Sequence, residues 1–295
     1  MKRLLAVVLL SFLLAACASK PLVPYTTDTP PLILVPVSEA GVTDERGRFR
    51  EIANAVLEDH GREMLYYRTS DEALTLVGEE PGATGEPVDL GPSRHNLIVA
   101  LIPGIGWDCF ENWLNYETAL DSHISKFGFS SIILPVDGMS GTTNNARQIR
   151  DNILKRADQL EPDQLVLIGY SKGAPDVLEA VVSYPEIRPF IAAVVSLAGA
   201  VGGSPLANNA KESDLRLLKY IPQSDCTEGD GHAVESLRPA IRRQWLADNP
   251  LPESVHYYSL VTYPTPDRVS SVLKSMQKKL AAVDSRNDGQ VIFYD

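Results

Sequence analysis

A buried strand that turns directly into a helix, at residues 165–181, constrains the fold more than any other segment. It reads LVLIGYSKGAPDVLEAV, with an apolar run before the turn and helical spacing after it. Gly169-Tyr170-Ser171-Lys172-Gly173 matches GxSxG, in which the two glycines remove Cβ atoms from a turn that is too tight for side chains. The segment therefore predicts a strand, a strained serine at the turn and a helix that packs back on the strand.

Short apolar runs alternate with longer amphipathic runs from residue 95 onwards. The pattern predicts strands at 96–102, 131–135, 164–169, 190–198 and 255–263, and helices at 111–127, 144–160 and 174–183. Strands rich in Val, Ile and Leu, each followed by a helix, indicate a parallel sheet covered on both faces. We expect an α/β fold with a doubly wound, mostly parallel sheet and, at about 203–250, a cap-like insertion over one end of the sheet.

The N-terminus has the pattern of a bacterial lipoprotein signal peptide. Lys2 and Arg3 precede an apolar stretch that is too short to span a bilayer comfortably. Leu14-Ala15-Ala16-Cys17 resembles a lipobox, so residues 1–16 are interpreted as the signal peptide and Cys17 as the lipidated residue. An ordinary secretory signal is the alternative. The prediction is a lipid-anchored protein of the bacterial cell envelope, on the periplasmic face of the outer membrane.

Composition divides the rest of the chain into three further segments. Residues 17–36 are rich in proline and predict a tether, and residues 37–94 predict an accessory segment that contains an amphipathic helix at 44–58. Its last part, 78–94, is an acidic loop rich in glycine and proline. Residues 95–295 form the predicted main domain.

Charge and motifs exclude several classes of function. The formal net charge is -11, and without Lys2 and Arg3 it becomes -13, which argues against a nucleic-acid partner. Metal and organic cofactors are not expected, because the chain contains neither HExxH, nor a Cys/His ligand cluster, nor a Walker or dinucleotide motif. Once Cys17 takes lipid, Cys109 and Cys226 can form a disulfide in an oxidising compartment, although two separate buried thiols are the alternative.

The GxSxG segment in this context resembles the α/β-hydrolase superfamily, in particular bacterial lipases and esterases, and the resemblance covers residues 95–295. It implies that Ser171 is a nucleophile and that the backbone N–H of Lys172 is one oxyanion donor. It places the second donor at Ile105, in the loop Pro103-Gly104-Ile105-Gly106. This sequence has Pro103 where many relatives have histidine. A glycine-rich connecting turn is the other interpretation of this loop.

An acid and a base should complete such a site, in the chain order Ser, then Asp or Glu, then His. Asn287-Asp288-Gly289 resembles the turn that carries the acid in bacterial lipases, so Asp288 is the candidate. Asp267 and Asp284 are competitors, and simple turn chemistry is an alternative.

The base has no candidate in the expected place, because all five histidines precede Asp288. His232 is the least implausible substitute. We therefore expect that the chain is a C-terminally shortened form of a longer protein. In that interpretation VIFYD, residues 291–295, begins a last core strand, a histidine lies beyond it, and the sequence as it stands has very weak activity or none.

The resemblance implies a serine hydrolase that cleaves carboxylic esters, with lipid-like esters among the candidates, and that needs no cofactor; the lipobox adds the expectation of a membrane anchor. An acyltransferase or thioesterase that uses the same serine is one alternative. A non-catalytic envelope lipoprotein that retains the fold is the other.

Overall fold

The computed structural model describes residues 34–35, 39–63, 67–110, 123–215 and 226–295. Two compact units are distinguished within the chain. The larger unit includes 97–121 and 130–295, and the smaller includes 31–96 and 122–129. The smaller unit overlaps the accessory segment expected at 37–94, and it also includes 122–129, which belong to the predicted main domain. The signal peptide, Cys17 and most of the predicted helix at 111–127 lie outside the described residues.

The described part of the larger unit contains a five-stranded parallel sheet. Its strands are β1 (Ile98–Ile102), β2 (Ser130–Ile133), β3 (Leu165–Tyr170), β4 (Ile191–Leu197) and β5 (His256–Leu260). They lie in the order β2-β1-β3-β4-β5, and every neighbouring pair is parallel. All the predicted strands are present with ends shifted by at most three residues, and the α/β fold with a parallel sheet is confirmed.

The strand order fixes where a site can form. From β1 the chain moves outward to β2 and then returns to place β3 on the other side of β1. In open α/β sheets, ligands bind beyond the carboxyl ends of the strands at such a reversal of order. The loops after β1 and β3 meet at this point, and they contain the candidate oxyanion loop and the GxSxG turn.

The described helices are α1 (Arg46–His60), α2 (Ser70–Ala73), α3 (Thr142–Leu154), α4 (Gly173–Ser183), α5 (Glu212–Leu215), α6 (Pro239–Asp248) and α7 (Lys274–Ala281). The helix predicted at 144–160 ends at Leu154, and a 3₁₀ turn at Ala157–Gln159 follows it. In the described residues, no helix is both long enough and apolar enough to cross a membrane.

The main core lies between the sheet and the helices α3 and α4. Ile149 and Ile153 of α3 and Val177 of α4 are buried, as are Ile102 of β1 and Leu167 of β3. Ile149 and Ile153 are four residues apart, so that α3 presents one apolar face to the sheet, whereas α4 is buried at nine consecutive positions, 173–181.

The described parts of the 203–250 region include α5, α6 and 3₁₀ turns at Pro205–Asn208 and Glu235–Leu237. Trp245 of α6 packs against the main core cluster. Arg242 of the same helix lies with its guanidinium 3.9 Å from the Glu179 carboxylate of α4. At least α6 is therefore part of the body of the larger unit.

The expectation of a strand beginning at residue 291 is wrong for the described structure. Ile292 forms only an isolated antiparallel bridge with Asn287, and no strand is added to the sheet. The reason lies in the turn before it, since the Asn287 and Asp288 side chains accept hydrogen bonds from the backbone N–H groups that follow. The chain consequently folds back on itself, and Val291 is buried in a separate apolar cluster.

Candidate active site

The GxSxG turn has the strained geometry that its sequence predicts. β3 ends at Tyr170 and α4 begins at Gly173, and between them Ser171 has φ +53°. A Cβ at Gly173 would overlap the carbonyl oxygen of Ile102 and lie 2.7 Å from that of Pro103. Only a glycine allows the start of α4 to approach the end of β1 this closely, so the glycine is required by packing.

Three backbone hydrogen bonds hold the strained serine. The N–H of Ser171 donates to the Leu197 carbonyl at the end of β4, at 3.1 Å. The Ser171 carbonyl accepts from the N–H groups of Ala174 at 3.2 Å and Ala200 at 3.1 Å. A non-glycine residue at positive φ persists where its surroundings determine it, and such strain is frequent at active sites.

The loop after β1 lies against the serine side chain. A Cβ at Gly104 would lie 2.9 Å from Ser171 Cβ and 3.4 Å from Ser171 Oγ. Among the described residues, the backbone N–H groups of Ile105 and Lys172 donate to no protein acceptor. Lys172 also immediately precedes the N-terminus of α4, where the helix dipole favours negative charge. Both candidate donors are therefore without another protein acceptor among the described residues, and Gly104, the residue before Ile105, lies against the serine.

The side chain of Lys172 is buried in an ion pair that the sequence analysis missed. Its Nζ donates to both carboxylate oxygens of Asp176, at 2.9 and 2.8 Å, and Asn145 Nδ2 donates to Asp176 at 2.8 Å. Both charged side chains are 1% exposed. Burial raises the pKa of Asp176, and the attraction of Lys172 opposes that shift. A lysine four residues before an aspartate at the start of an apolar helix was the available signal.

Asp288 differs from the two competing acids in its partners. Its Oδ1 accepts hydrogen bonds from the backbone N–H groups of Gln290 at 2.8 Å and Val291 at 2.7 Å. Burial raises the pKa of Asp288, and the backbone hydrogen bonds oppose that shift. Asp284 is instead paired with Arg286, which lowers its pKa, and Asp267 is exposed.

The turn that carries Asp288 is joined to the segment that supports the serine. Ser204 Oγ donates to the Gln290 carbonyl at 2.5 Å, and the Gly202 N–H donates to the Asp295 carbonyl. Val291 and Ala200 belong to one buried cluster, against which Ile105 packs. The candidate oxyanion loop, the segment after β4 and the acid turn therefore share a single apolar cluster.

The structure describes all five histidines, His60, His95, His123, His232 and His256. His232 is 64% exposed, and its Nδ1 lies 2.9 Å from Glu235 Oε2. Glu235, and to a lesser degree Asp230, raises its pKa. Among the described residues no histidine hydrogen-bonds to Ser171, so none of the five makes the contact that is expected of a catalytic base.

Two other sequence predictions concern cysteines and metals. Cys109 and Cys226 are joined by a disulfide. Across the described ranges, no three His, Cys, Asp or Glu side chains are grouped as metal ligands.

Comparisons with known proteins place this geometry in a family. The metagenomic carboxyl esterase MGS0156 is 37% identical to the chain and has a TM-score of 0.82; the match covers 93% of this chain and 82% of that one. The Bacillus licheniformis lipase BlEst2 in its mature form is 17% identical with a TM-score of 0.51, over 70% of this chain and 81% of that chain, which is a likeness of fold. The chain matches no protein-family model and no curated protein. The chain has a parallel sheet, a serine at the β3–α4 turn and a carboxyl esterase relative that is 37% identical over a match covering 93% of this chain. It therefore belongs to the α/β-hydrolase superfamily.

Proposed function

We propose that the protein is a serine esterase that hydrolyses carboxylic esters. The observation that carries the proposal is Ser171, held at φ +53° before the N-terminus of α4 with Gly104 against its side chain. A 37% identical relative that is a carboxyl esterase supports the same chemistry.

The proposed reaction proceeds through an acyl-enzyme. Ser171 Oγ bonds to the ester carbonyl carbon, and the carbonyl oxygen becomes an anion that accepts hydrogen bonds from the N–H groups of Lys172 and Ile105. The C–O bond to the alcohol then breaks, and the alcohol leaves with the proton that Ser171 Oγ gave up. Water hydrolyses the acyl-serine, which releases the carboxylic acid and restores the serine hydroxyl. Asp288 is the proposed acid, since it is fixed by two backbone N–H groups and pairs with no cation among its described contacts.

Turnover by this sequence is expected to be slow. Serine attack needs a base that accepts the Oγ proton, and none of the described histidines contacts Ser171. A site without a functional triad retains binding and oxyanion stabilisation, which are worth about 10³–10⁴-fold over the reaction in water.

Covalent labelling tests the proposal directly. A fluorophosphonate probe should label the wild-type chain, slowly because no described base contacts Ser171, and should fail to label Ser171→Ala, because phosphonylation requires the serine oxygen. Ser183→Ala, at the exposed end of α4, is the matched control and should label like wild type. Equal labelling of Ser171→Ala and wild type, or an unlabelled wild type, would overturn the assignment.

A non-catalytic role is the second candidate, and it is favoured because no histidine hydrogen-bonds to Ser171 in the described part of the chain. The two candidates differ in product formation, since only the esterase releases p-nitrophenol from a short-chain p-nitrophenyl ester in a manner that Ser171→Ala abolishes. An acyltransferase with the same serine would instead raise the yield of a new ester when an alcohol acceptor is added.

We also propose that the enzyme works at a membrane surface of the bacterial cell envelope, attached through lipid on Cys17. Ester substrates of lipid-like character would then be close at hand. The support is the signal and lipobox pattern of the first 17 residues.

A further inference from the structure

Two separate links join the loop after β1 to a segment far along the chain. Cys109, which is 1% exposed, forms the disulfide with Cys226 across 117 residues of sequence. Directly beside it, the Thr227 backbone N–H donates to Asp108 Oδ2 at 3.1 Å, and Thr227 Oγ1 donates to the same oxygen. A covalent link and a pair of charge-assisted hydrogen bonds thus act on consecutive residues.

The loop between these links and the serine is short and internally bonded. The Cys109 N–H donates to the Gly106 carbonyl at 3.1 Å, and the Trp107 N–H donates to the Gly104 carbonyl at 3.4 Å. Gly106 in turn donates to the Gly138 carbonyl at 3.0 Å. These hydrogen bonds restrict the backbone between Cys109 and Gly104. A movement of Cys109 is therefore expected to move Ile105 and also Gly104, which lies against Ser171.

Residues 226–230, here called the strap, are fixed at their far end to another part of the larger unit. The Asp230 N–H donates to Ser140 Oγ at 2.9 Å, and Asp230 Oδ1 accepts from the Gly141 N–H at 2.8 Å. Gly141 is the residue that precedes α3. The strap therefore connects the loop after β1 to the start of a core helix, which gives the disulfide a firm support.

We propose that Cys109, Cys226 and Asp108 are positioning residues for the oxyanion donor at Ile105. This inference rests on the proposed function. Preorganised donors must sit within about 0.5 Å of their productive position, and loss of one donor lowers kcat by about 10²–10³-fold. Breaking the disulfide should let the loop sample other positions, so the donor would be correctly placed for only part of the time.

The first experiment compares the wild-type chain before and after reduction of the Cys109–Cys226 disulfide. Reduction with a phosphine should lower kcat and the rate of fluorophosphonate labelling by about tenfold or more, with KM within about twofold, since the donor acts on the developing anion. Reoxidation should restore both rates. Assays are run well below the unfolding midpoint of the reduced chain, so that lost stability alone does not lower the rates.

Matched variants separate the disulfide from other effects of the reductant. Cys109→Ala/Cys226→Ala should show the low rates with or without the phosphine. Cys17 is unchanged in the wild type and in every variant, so it does not account for differences between them. Asp108→Asn and Thr227→Val keep the disulfide and should lower kcat without raising KM. A purely structural role would lower the melting temperature of these variants and leave kcat of the folded protein unchanged.

The outcomes distinguish this inference from the proposal beneath it. If the oxidised wild type is not labelled at Ser171, the proposed function fails and the positioning role fails with it. If Ser171 is labelled at the same rate before and after complete reduction, the esterase assignment stands and the positioning role is overturned.

Discussion

Two neighbouring carboxylates, Asp288 and Asp284, show how local partners decide the protonation of the same side chain. Burial raises the pKa of Asp288, whose contacts are backbone N–H groups. The guanidinium of Arg286 instead lowers the pKa of Asp284. The sequence contains both residues within one loop, and only the contacts show that Asp288 is the unpaired acid.

Replacement of each carboxylate by asparagine should therefore change stability in opposite directions. Asp288 has a folded pKa above its ordinary 3.8, so its stabilising contribution is complete below pH 3.8 and is lost as pH rises through the raised value. Asp288→Asn should unfold at a higher urea concentration than wild type at pH 7 and at about the same concentration at pH 3. Asp284→Asn should be less stable than wild type at pH 7, because the contribution of Asp284 is present above pH 3.8 and lost in acid.

Urea midpoints at both pH values check this pair. If Asp288→Asn were less stable than wild type at pH 7 but not at pH 3, the native fold would stabilise the Asp288 carboxylate, and the inferred role of burial would be wrong.

The buried pair Lys172 and Asp176 gives a second prediction at the scale of residues. Lys172→Met should cost about 3–5 kcal/mol of unfolding free energy, because it leaves the Asp176 carboxylate buried without its cation. Lys172→Met/Asp176→Leu should recover much of that loss, since neither buried charge remains.

A double-mutant cycle from urea unfolding measures this coupling. Lys126→Met is the control with identical chemistry, since the pair of Lys126 and Glu63 is exposed to solvent and should contribute little. A Lys172→Met variant as stable as Lys126→Met would show that the buried pair does not contribute in this way.

At the scale of elements, periodicity predicted most of what the structure contains. The three central strands β1, β3 and β4 are mostly apolar on both faces, which is typical of a covered parallel sheet, whereas the edge strands β2 and β5 are more polar and more exposed. The helix after Ser171 begins one residue before its expected start. The expectation of a strand at 291–295 is wrong, because an apolar run does not show whether its backbone pairs with the sheet or folds back at a turn. Here the Asn287 and Asp288 side chains accept hydrogen bonds from the backbone N–H groups that follow, and these bonds favour the turn.

The junction of β1, β3 and α4 allows a test of the packing that sets the serine turn. Gly173→Ala should destabilise the protein by about 1–3 kcal/mol, since the new methyl group would overlap the Ile102 carbonyl oxygen and force the backbones apart. Fluorophosphonate labelling should also slow, because the Lys172 N–H moves with the start of α4.

Gly82→Ala is the matched control, as a Cβ at Gly82 would meet no atom within 4 Å. Its unfolding free energy should change by no more than about 0.5 kcal/mol. A Gly173→Ala variant that resembles Gly82→Ala in both stability and labelling would contradict the close approach of α4 to β1.

At the scale of the whole molecule, three cysteines are expected to serve two purposes. Cys109 and Cys226 are joined within the larger unit, whereas Cys17 lies in a lipobox-like sequence outside the described residues. The disulfide between Cys109 and Cys226 is favoured in an oxidising compartment. Lipidation of Cys17 would require export of the chain by a lipoprotein pathway. Both interpretations support the proposal that the folded protein lies outside the cytoplasm, and they rest on different residues.

Metabolic labelling with radioactive palmitate in a bacterial host tests the anchor. Wild type should incorporate the label and sediment with membranes, because thioether diacylglycerol and an N-acyl chain together supply more than one anchor, which is enough for stable attachment. Cys17→Ala should incorporate no label and appear in the soluble fraction. Cys109→Ala/Cys226→Ala retains Cys17 and should be labelled like wild type, which identifies the cysteine that carries the lipid. Equal incorporation in Cys17→Ala and wild type would exclude Cys17 as the attachment point, and an unlabelled wild type would favour an ordinary secretory signal.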